Sequence, residues 1–269
     1  MPSANSGKRI VKNIRVNKKN ITLTFLKGKK IQISQDAYVS TYLYEGKTLS
    51  KKEINHLLEL TALSSLLKYA TNLVSKRLIS ERKMLEKLLK KANDLEAAKK
   101  VIAKLKASNL LNDRVLIQNL VDFDNERKYG KNKIIKHLKN QGIADNMISD
   151  IAFPLNIEKE KAETLSLFLE KKYGHLSYMN KKKHVYQALL ARGFSSEIAY
   201  SVINNLKRDI EEEEKAKLIR DYQVIRKRYQ RKYEGYQLKQ KTYGALINKG
   251  YQYRDIKEIL EDKDNENDC

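Results

Sequence analysis

Few residues of this sequence have the types and spacing that chemistry requires. The four histidines include no pair four residues apart, and the single cysteine is Cys269, so the sequence predicts neither a helical zinc site nor an intramolecular disulfide. It contains no Gly-x-x-x-x-Gly-Lys-[Ser/Thr] phosphate loop, and no serine, cysteine and histidine arrangement that resembles a nucleophilic catalyst. We therefore expect a protein that is not an enzyme and has no metal ion or cofactor. The histidines, expected to be ordinary surface or half-buried side chains, are His56, His137, His175 and His184.

An acidic run from Glu211 to Glu214 is the remaining feature that could suggest metal binding. It lies at the start of a predicted helix, where carboxylates are attracted to the partial positive charge of the helix N-terminus. Lys215 and Lys217 follow at helical spacing and can pair with these glutamates. We therefore interpret the run as a feature of the helix rather than as a metal site.

The basic residues say more about function. The chain has 55 lysines and arginines against 33 acidic residues, a net charge of +22, which attracts polyanions. The excess is greatest from Lys215 to Arg254, where twelve basic and two acidic residues are interleaved with seven tyrosines. Lysine and arginine can hold phosphates, and tyrosine can stack on bases. This segment indicates a surface for nucleic acid or an acidic partner; the alternative is a solvated helix whose tyrosines belong to the core.

The composition favours helices. Hydrophobic residues make up 41% of the chain, enough for a sizeable core, while only 10 glycines and 2 prolines are present to interrupt helices. No run of about 18 apolar residues is present to span a membrane, and the N-terminal residues lack the apolar region of a signal peptide. We expect a cytoplasmic monomer that does not contact membranes.

A repeated pattern organises most of the sequence. The segments "KHLKNQGI", "QALLARGF" and "GALINKGY" each end their aliphatic part at a glycine, namely Gly142, Gly193 and Gly250. "EKLLKKAN", about 50 residues earlier, is a fainter copy without the glycine. A period near 50 residues in helical sequence predicts stacked multi-helix units. The three glycines fit left-handed positions that end helices.

Each copy of the pattern predicts three helices, so we expect a mainly α protein built as an elongated, curved array of three-helix repeats. The first helices are predicted over residues 57–77, 114–127, 157–172 and 216–232, with the second helices over 81–91, 132–140, 180–191 and 238–248. The third helices are predicted over 96–107, 146–153, 196–206 and 254–261. Expected helix caps are Ser80, Asp113, Asp145 and Ser195. We place the repeats at residues 49–111, 112–155, 156–206 and 207–262.

The N-terminal part of the chain has a different character. Residues 1–48 include β-branched, alternating segments that predict strands over 9–16, 20–26 and 29–34, with a turn at Lys27-Gly28. A capping box from Ser50 to Glu53 begins the helical part. The acidic tail, residues 263–269, is expected to be frayed.

Tyrosines precede three of the second helices. Tyr129, Tyr173 and Tyr233 are expected to pack between helices, and the alternative is that they are exposed contacts to a partner. Gly130 and Gly174 follow two of them, where the chain must reverse, and we expect both to have a positive φ.

Two segments resemble the RecX family, bacterial regulatory proteins of the RecA recombinase. "LVSKRLISERKMLEKLL" resembles the family's Leu-x-x-Arg-x-x-Ser-x-x-Glu-Leu signature at Arg77 and Ser80, with Lys83-Met84-Leu85 where Glu-Leu is usual. Residues 109–143 resemble a second block at Asn112-Asp113, Gly130, Ile134, Leu138 and Gly142-Ile143. The resemblance covers residues 60–205, and the additions at both ends are similar to the long form of low-GC Gram-positive bacteria.

The resemblance implies a function. It implies three-helix repeats, binding in the groove of the RecA–DNA filament, and inhibition of filament growth, ATP hydrolysis and strand exchange, with roles in DNA repair and homologous recombination. The competing hypothesis is a general DNA- or RNA-binding protein that acts without RecA. The partners that the resemblance implies are RecA, its filament and, weakly and in a salt-dependent way, DNA. Candidate partner- and DNA-binding residues are Arg77, Lys128, Tyr129, Lys131, Lys133, Lys171, Lys172, Tyr173, Arg192, Arg226, Arg228, Arg231, Lys232 and Tyr233.

Overall fold

The protein is mainly helical, with a small antiparallel sheet near its N-terminus. The structure, a computed structural model, describes residues 9–17 and 20–265, with side chains described as far as residue 261. The chain forms two compact units, one of residues 1–118 and 140–144 and the other of residues 119–139 and 145–269. No helix in the described ranges is long and apolar enough to cross a membrane. The predicted frayed tail lies mostly outside the described residues, although the last helix continues to Asn265.

The sheet lies in the first unit and confirms the three predicted strands. The strands are β1 (Arg9–Val16), β2 (Ile21–Phe25), β3 (Lys30–Ile33) and a short β4 (Thr48–Leu49), in the order β3-β2-β1-β4. Gly28 has a φ of 79°, as the predicted turn between β2 and β3 requires. The sequence did not predict β4 or the helix α1 (Gln35–Ser40), both too short to show a period. Alternate side chains, among them Val11, Leu23 and Ile33, are buried on one face of the sheet.

Twelve further helices follow in four groups of three within the described residues. Copy 1 has α2 (Lys51–Val74), α3 (Glu81–Ala92) and α4 (Leu95–Ala107), and copy 2 has α5 (Asp113–Glu126), α6 (Lys131–Gln141) and α7 (Asp145–Ser149). Copy 3 has α8 (Leu155–Lys172), α9 (Tyr178–Ala191) and α10 (Ser196–Asn204), and copy 4 has α11 (Glu211–Tyr229), α12 (Gly235–Asn248) and α13 (Tyr253–Asn265). These groups agree with the predicted three-helix repeats. The residue limits assigned to the repeats remain our interpretation.

Local sequence explains where the helices begin and end. The predicted capping box is present, since Ser50 accepts from the N–H of Glu53 and the Glu53 carboxylate accepts from the N–H of Ser50. Ser80 and Ser195 cap α3 and α10 as expected. The prediction for Asp113 was wrong, because the carbonyl oxygen of the Asn112 side chain accepts from the start of α5 and Asp113 is already helical. Asn112 therefore takes the position that the sequence analysis assigned to Asp113.

The glycines that end the second helices have the expected conformation. Gly142, Gly193 and Gly250 have φ angles of 81°, 92° and 80°, and Asn93 takes a φ of 47° at the corresponding place in copy 1. The expectation for Gly130 and Gly174 was wrong, because neither has a positive φ; Lys128 takes a φ of 55° instead. A Cβ on Gly130 would lie 2.6 Å from the backbone of Gly193 and Phe194. Gly130 is therefore required by a close approach of two chain segments, not by its own dihedral angles.

That close approach belongs to a contact that recurs between consecutive copies, which we call a junction. At each junction the N-terminal end of one second helix meets the C-terminal end of the second helix of the next copy. In the first junction, Ser80 Oγ donates to the carbonyl of Gln141, and in the third, Ser177 Oγ donates to the carbonyl of Lys249. In the second junction the equivalent hydrogen bond comes from the backbone: the N–H of Gly130 donates to the carbonyl of Arg192 over 2.9 Å.

A carboxylate from the first turn of the next copy completes every junction. Asp113 accepts from the N–H of Glu81 over 2.9 Å in the first, and Glu158 accepts from the N–H of Lys131 over 2.8 Å in the second. Glu214 accepts from the N–H of Tyr178 over 2.9 Å in the third. A negative charge at a helix N-terminus is favourable, since the first N–H groups have no acceptor within the helix. The second helices α3, α6 and α9 are thus each capped in part by the copy that follows them.

Candidate functional site

Five of the predicted site residues surround the second junction, in the second unit. The guanidinium of Arg192 lies 5.3 Å from the centre of the Tyr129 ring, and the Lys133 ammonium lies 5.5 Å from it. Arg192 also donates to the carbonyl of Arg127 over 2.9 Å. Lys128 and Lys131 flank the ring in sequence and are exposed. The structure therefore brings five of the predicted residues together as one aromatic and cationic cluster.

The interior of this junction holds charges that the sequence analysis did not identify. Glu158 and Lys161 form an ion pair in which both side chains are almost fully buried. Lys161 also donates to Asn125 Oδ1 and to the carbonyl of Tyr129, at 2.9 and 3.0 Å. Burial of such a pair is tolerated because hydrogen bonds satisfy both charged groups. These contacts hold the backbone of Tyr129, and with it the ring that Arg192 and Lys133 flank.

A histidine on α6 also contacts the Tyr129 ring. His137 packs edge-on against Tyr129 with ring centres 5.7 Å apart, and its Nδ1 lies 2.8 Å from a buried Asp124 carboxylate oxygen. The half-buried position of His137 matches the expectation of an ordinary histidine. Within the described residues, no group of three or more histidine, cysteine, aspartate or glutamate side chains could hold a metal ion.

The three tyrosines share one arrangement. Each is half-buried and contacts the seventh residue of the following second helix: Tyr129 contacts His137, Tyr173 stacks on His184 with ring centres 5.2 Å apart, and Tyr233 lies under Lys241. This position agrees with packing between helices, and the exposed part of each ring leaves room for a partner. Lys171 and Lys172 beside Tyr173 are exposed in the last turn of α8, where their charges also favour the helix C-terminus.

The third group lies at the C-terminal end of α11. Arg228, Arg231 and Lys232 are exposed, whereas Arg226 is half-buried and donates to the hydroxyl of Tyr222 over 2.6 Å. Tyr233 packs edge-on against Tyr229 with ring centres 6.1 Å apart. The alternative for the tyrosines is correct in part, because Tyr222 and Tyr251 are buried in the core of copy 4. Three of the predicted cations therefore remain available to a ligand here.

Arg77 is the predicted site residue of the first unit. It is exposed and lies in the turn that follows α2. Sequence reasoning assigned Asp113 to the cap of α5, whereas its carboxylate caps α3, and it missed the contact of Lys83, which donates to Gln141 Oε1 over 2.9 Å. A signal for the capping carboxylates was present, since Glu158-x-x-Lys161 and Glu214-x-x-Lys217 recur at the same place in two copies.

Comparisons with known proteins agree with this architecture. No family model matches the chain. A protein of Streptococcus agalactiae serotype Ia, named regulatory protein RecX, is 29% identical over 259 residues, which cover 93% of this chain and 98% of that protein. A regulatory protein RecX of Lactococcus lactis subsp. cremoris strain SK11 is 25% identical over 249 residues, covering 90% of this chain and 93% of that protein.

A solved structure shows the same fold. The crystal structure of a regulatory protein RecX superimposes with a TM-score of 0.59, at 19% sequence identity, over 73% of this chain and all of that chain. The fold of about three quarters of this chain is thus found in a solved structure. The chain is similar, over nearly its full length, to proteins named regulatory protein RecX.

Proposed function

We propose that this chain is a non-enzymatic regulator of the RecA recombinase that binds the RecA–DNA filament in its groove and inhibits it. The observation that carries this proposal is the similarity to regulatory proteins named RecX over nine-tenths or more of each chain. A role in homologous recombination and DNA repair in the cytoplasm follows from such a partner.

The charge distribution supports a nucleoprotein partner. The second unit presents exposed cations at Lys128 and Lys131, at Lys171 and Lys172, and along the end of α11. A filament repeats its protein and phosphate groups along its length, and several weak contacts on one chain act together through their effective concentration. Cations also accelerate the encounter with an acidic target. Repeated copies with cations beside half-buried tyrosines suit such a target.

The first experiment measures DNA-dependent ATP hydrolysis by RecA from the same source. Addition of this protein below the stoichiometry of RecA is expected to lower the rate of hydrolysis. An unchanged rate even with this protein in excess over RecA contradicts the proposal. A pull-down with RecA, with and without single-stranded DNA, identifies the species that is bound.

The second candidate function is general binding of DNA or RNA without RecA, which the exposed Arg228, Arg231 and Lys232 favour. Strong binding of single-stranded nucleic acid at physiological salt in the absence of RecA would favour it over the first. Weak, salt-dependent binding of DNA alone, together with RecA-dependent capture, favours the first.

A pair of charge-reversal variants tests the surface itself. Replacing Arg228, Arg231 and Lys232 with Glu is expected to weaken filament binding most at low salt and to flatten its salt dependence, because fewer counterions are released. Arg226 is left unchanged because it is half-buried and bonded to Tyr222. The matched control replaces three exposed lysines of the first unit, Lys90, Lys100 and Lys104, with Glu and should retain more of the binding. Equal losses in the two variants would assign the effect to net charge alone.

A further inference from the structure

The N-terminal end of α12 differs from those of the other second helices. The ends of α3, α6 and α9 each receive a carboxylate and a helix C-terminal carbonyl from the next copy, but in the described chain only α13 follows α12. The N-cap residue Glu234 makes no side-chain hydrogen bond to the helix start, and the first turn contains no acidic residue. A Cβ on Gly235 would meet no atom within 4 Å, whereas Gly130 is closely packed. The start of α12 therefore lies where a junction would form, but in the described chain no following copy supplies its carboxylate and carbonyl.

A cavity of about 390 Å³ lies beside this helix end. Arg226 and Lys239 line it, together with Tyr222, Tyr236 and Thr242. Thr242 is 1% exposed, and its hydroxyl oxygen has no hydrogen-bond partner within the described residues. Leaving a buried hydroxyl unpaired is costly, so the threonine is not explained by packing.

The other copies show what normally occupies the position of Thr242. The eighth residue of α3, α6 and α9 is a fully buried aliphatic residue: Leu88, Leu138 and Val185. A valine, which has nearly the same shape, would fill position 242 without leaving a buried hydroxyl unpaired. The core does not require the hydroxyl of Thr242, which instead gives the cavity a polar lining.

Copy 3 shows which charged groups of the following segment contact a second helix at a junction. Its second helix carries a buried Lys181, which is paired with Asp209. Asp209 belongs to the segment that enters copy 4, and Lys217 also donates to it over 2.7 Å. The acid of a following segment thus neutralises cations beside the second helix, and Glu214 of the same segment caps the start of that helix. In copy 4, Arg226 and Lys239 line the cavity beside the second helix, and Arg226 donates to the hydroxyl of Tyr222.

We propose that the start of α12 and its cavity form an open junction, which binds an acidic helical segment of a partner protein. The segment places one carboxylate on the free N–H groups of the helix start and a second acidic side chain in the cavity beside Arg226 and Thr242. The segment is inferred to be acidic because Arg226 lines the cavity that it enters and the first turn of α12 contains no acidic residue. The proposal does not rest on the proposed function, because it defines the docked segment by its chemistry.

A peptide derived from this chain tests the proposal. The probe is a synthetic peptide of residues 207–222, which contains both Asp209 and Glu214, the acids used at the third junction. Titrated into the isotope-labelled full chain, it is expected to shift the amide resonances of Gly235, Tyr236 and Lys239. A control peptide with Asp209→Asn and Glu214→Gln should bind at least tenfold more weakly.

Other occupants are distinguished in the same experiment. If the two peptides bind equally, or if the shifts lie only around the third junction, the proposal is overturned. If a ten-nucleotide oligothymidylate shifts the amide resonances of α12 and the peptide does not, the site binds phosphate instead of an acidic segment. Self-association of the chain that requires the start of α12, measured by sedimentation, would replace it with a junction between two copies.

Three variants separate binding from folding. Thr242→Val is expected to raise stability to urea while lowering peptide affinity several-fold, a pair of opposite effects that a structural role alone would not produce. Arg226→Gln should lower the affinity about tenfold, whereas Lys227→Gln, an equal change of charge on the same helix, should alter it less than twofold. Unchanged affinity in both Thr242→Val and Arg226→Gln would overturn the assignment of the cavity.

Discussion

The second junction and its two neighbours join the same helix ends by different means. In the first and third junctions, the hydroxyls of Ser80 and Ser177 bridge to the next helix, so a side chain separates the two backbones. In the second junction, the N–H of Gly130 bonds directly to the carbonyl of Arg192, and the N–H of Asn132 bonds to that of Gly193. The direct bond requires two glycines in contact, whereas the bridged bond tolerates side chains nearby. The comparison shows that the same pair of helix ends can be joined either through a serine hydroxyl or by direct backbone hydrogen bonds.

The largest test of this comparison replaces the junction glycines. Gly130→Ala should reduce the free energy of unfolding by at least about 3 kcal/mol, because the new Cβ would lie 2.6 Å from backbone atoms that cannot move aside. Gly142→Ala should cost only about 1–2 kcal/mol, since its positive φ is strained but its nearest neighbour is the flexible Arg82 side chain. Urea unfolding measures both changes.

A third glycine provides the control. Gly244 lies inside α12 with open space at its Cβ position, so Gly244→Ala should raise stability by about 0.5–1 kcal/mol. Equal costs for Gly130→Ala and Gly142→Ala would show that the close approach at the second junction is not tighter than the bridged ones.

The capping carboxylates provide the next test. Glu158→Gln should cost about 2–3 kcal/mol, because it removes the charge that pairs with Lys161 in a buried position. Asp113→Asn should cost no more than about 1 kcal/mol, because Asp113 is half-buried and asparagine can still accept from the N–H of Glu81. Denaturant unfolding measures the free energy of unfolding of both variants. A larger loss of stability for Asp113→Asn than for Glu158→Gln would contradict this prediction.

The smallest expected effect is a difference in pH dependence between the first and third junctions. Burial raises the pKa of Asp113 above its ordinary value, although the N–H of Glu81 opposes this shift. Burial also acts to raise the pKa of Asp209, but hydrogen bonds from Lys181 and Lys217 outweigh it, so the pKa of Asp209 is lowered from 3.8.

The signs of the two effects are opposite. The stability that Asp209 contributes is present above pH 3.8 and is lost as the pH falls through that value towards its folded-state pKa. Asp113 in its charged form costs stability, which therefore falls as the pH rises from 3.8 through its folded-state pKa. Urea unfolding between about pH 3 and pH 6 should show that Asp209→Asn flattens the acid loss and Asp113→Asn steepens it. The same change of slope in both variants would contradict these assignments.

Periodicity made the helices predictable, while the junctions depend on contacts that no local pattern contains. Gly142, Gly193 and Gly250 end aliphatic segments at regular spacing, so their left-handed conformation could be predicted from the sequence. The role of Gly130 could not, because the constraint comes from Gly193, 63 residues away, and not from its own φ. The short β4 and α1 have too few residues to show a period.

The candidate site was predictable in part for the same reason. Tyr129, Lys133 and Arg192 were selected as basic and aromatic residues, and the structure brings them together. The sequence could not show that Arg226 is bonded to Tyr222 while Arg228 remains exposed, since that depends on the side of α11 that faces α12. The position of Thr242 in a line of buried aliphatic residues becomes visible only after the four second helices are aligned by their observed starts.

The direction of the junctions has a consequence for synthesis of the chain on the ribosome. The second helices of the first three copies each receive a carboxylate from residues that lie later in the sequence: α3 from Asp113, α6 from Glu158 and α9 from Glu214. A copy that has just emerged therefore lacks the carboxylate at the start of its second helix and, in copy 3, the acid that pairs with Lys181, until the next segment appears. Each of the first three copies should reach its full stability only after translation of the following copy has begun, so that completion of their fold lags one copy behind the ribosome.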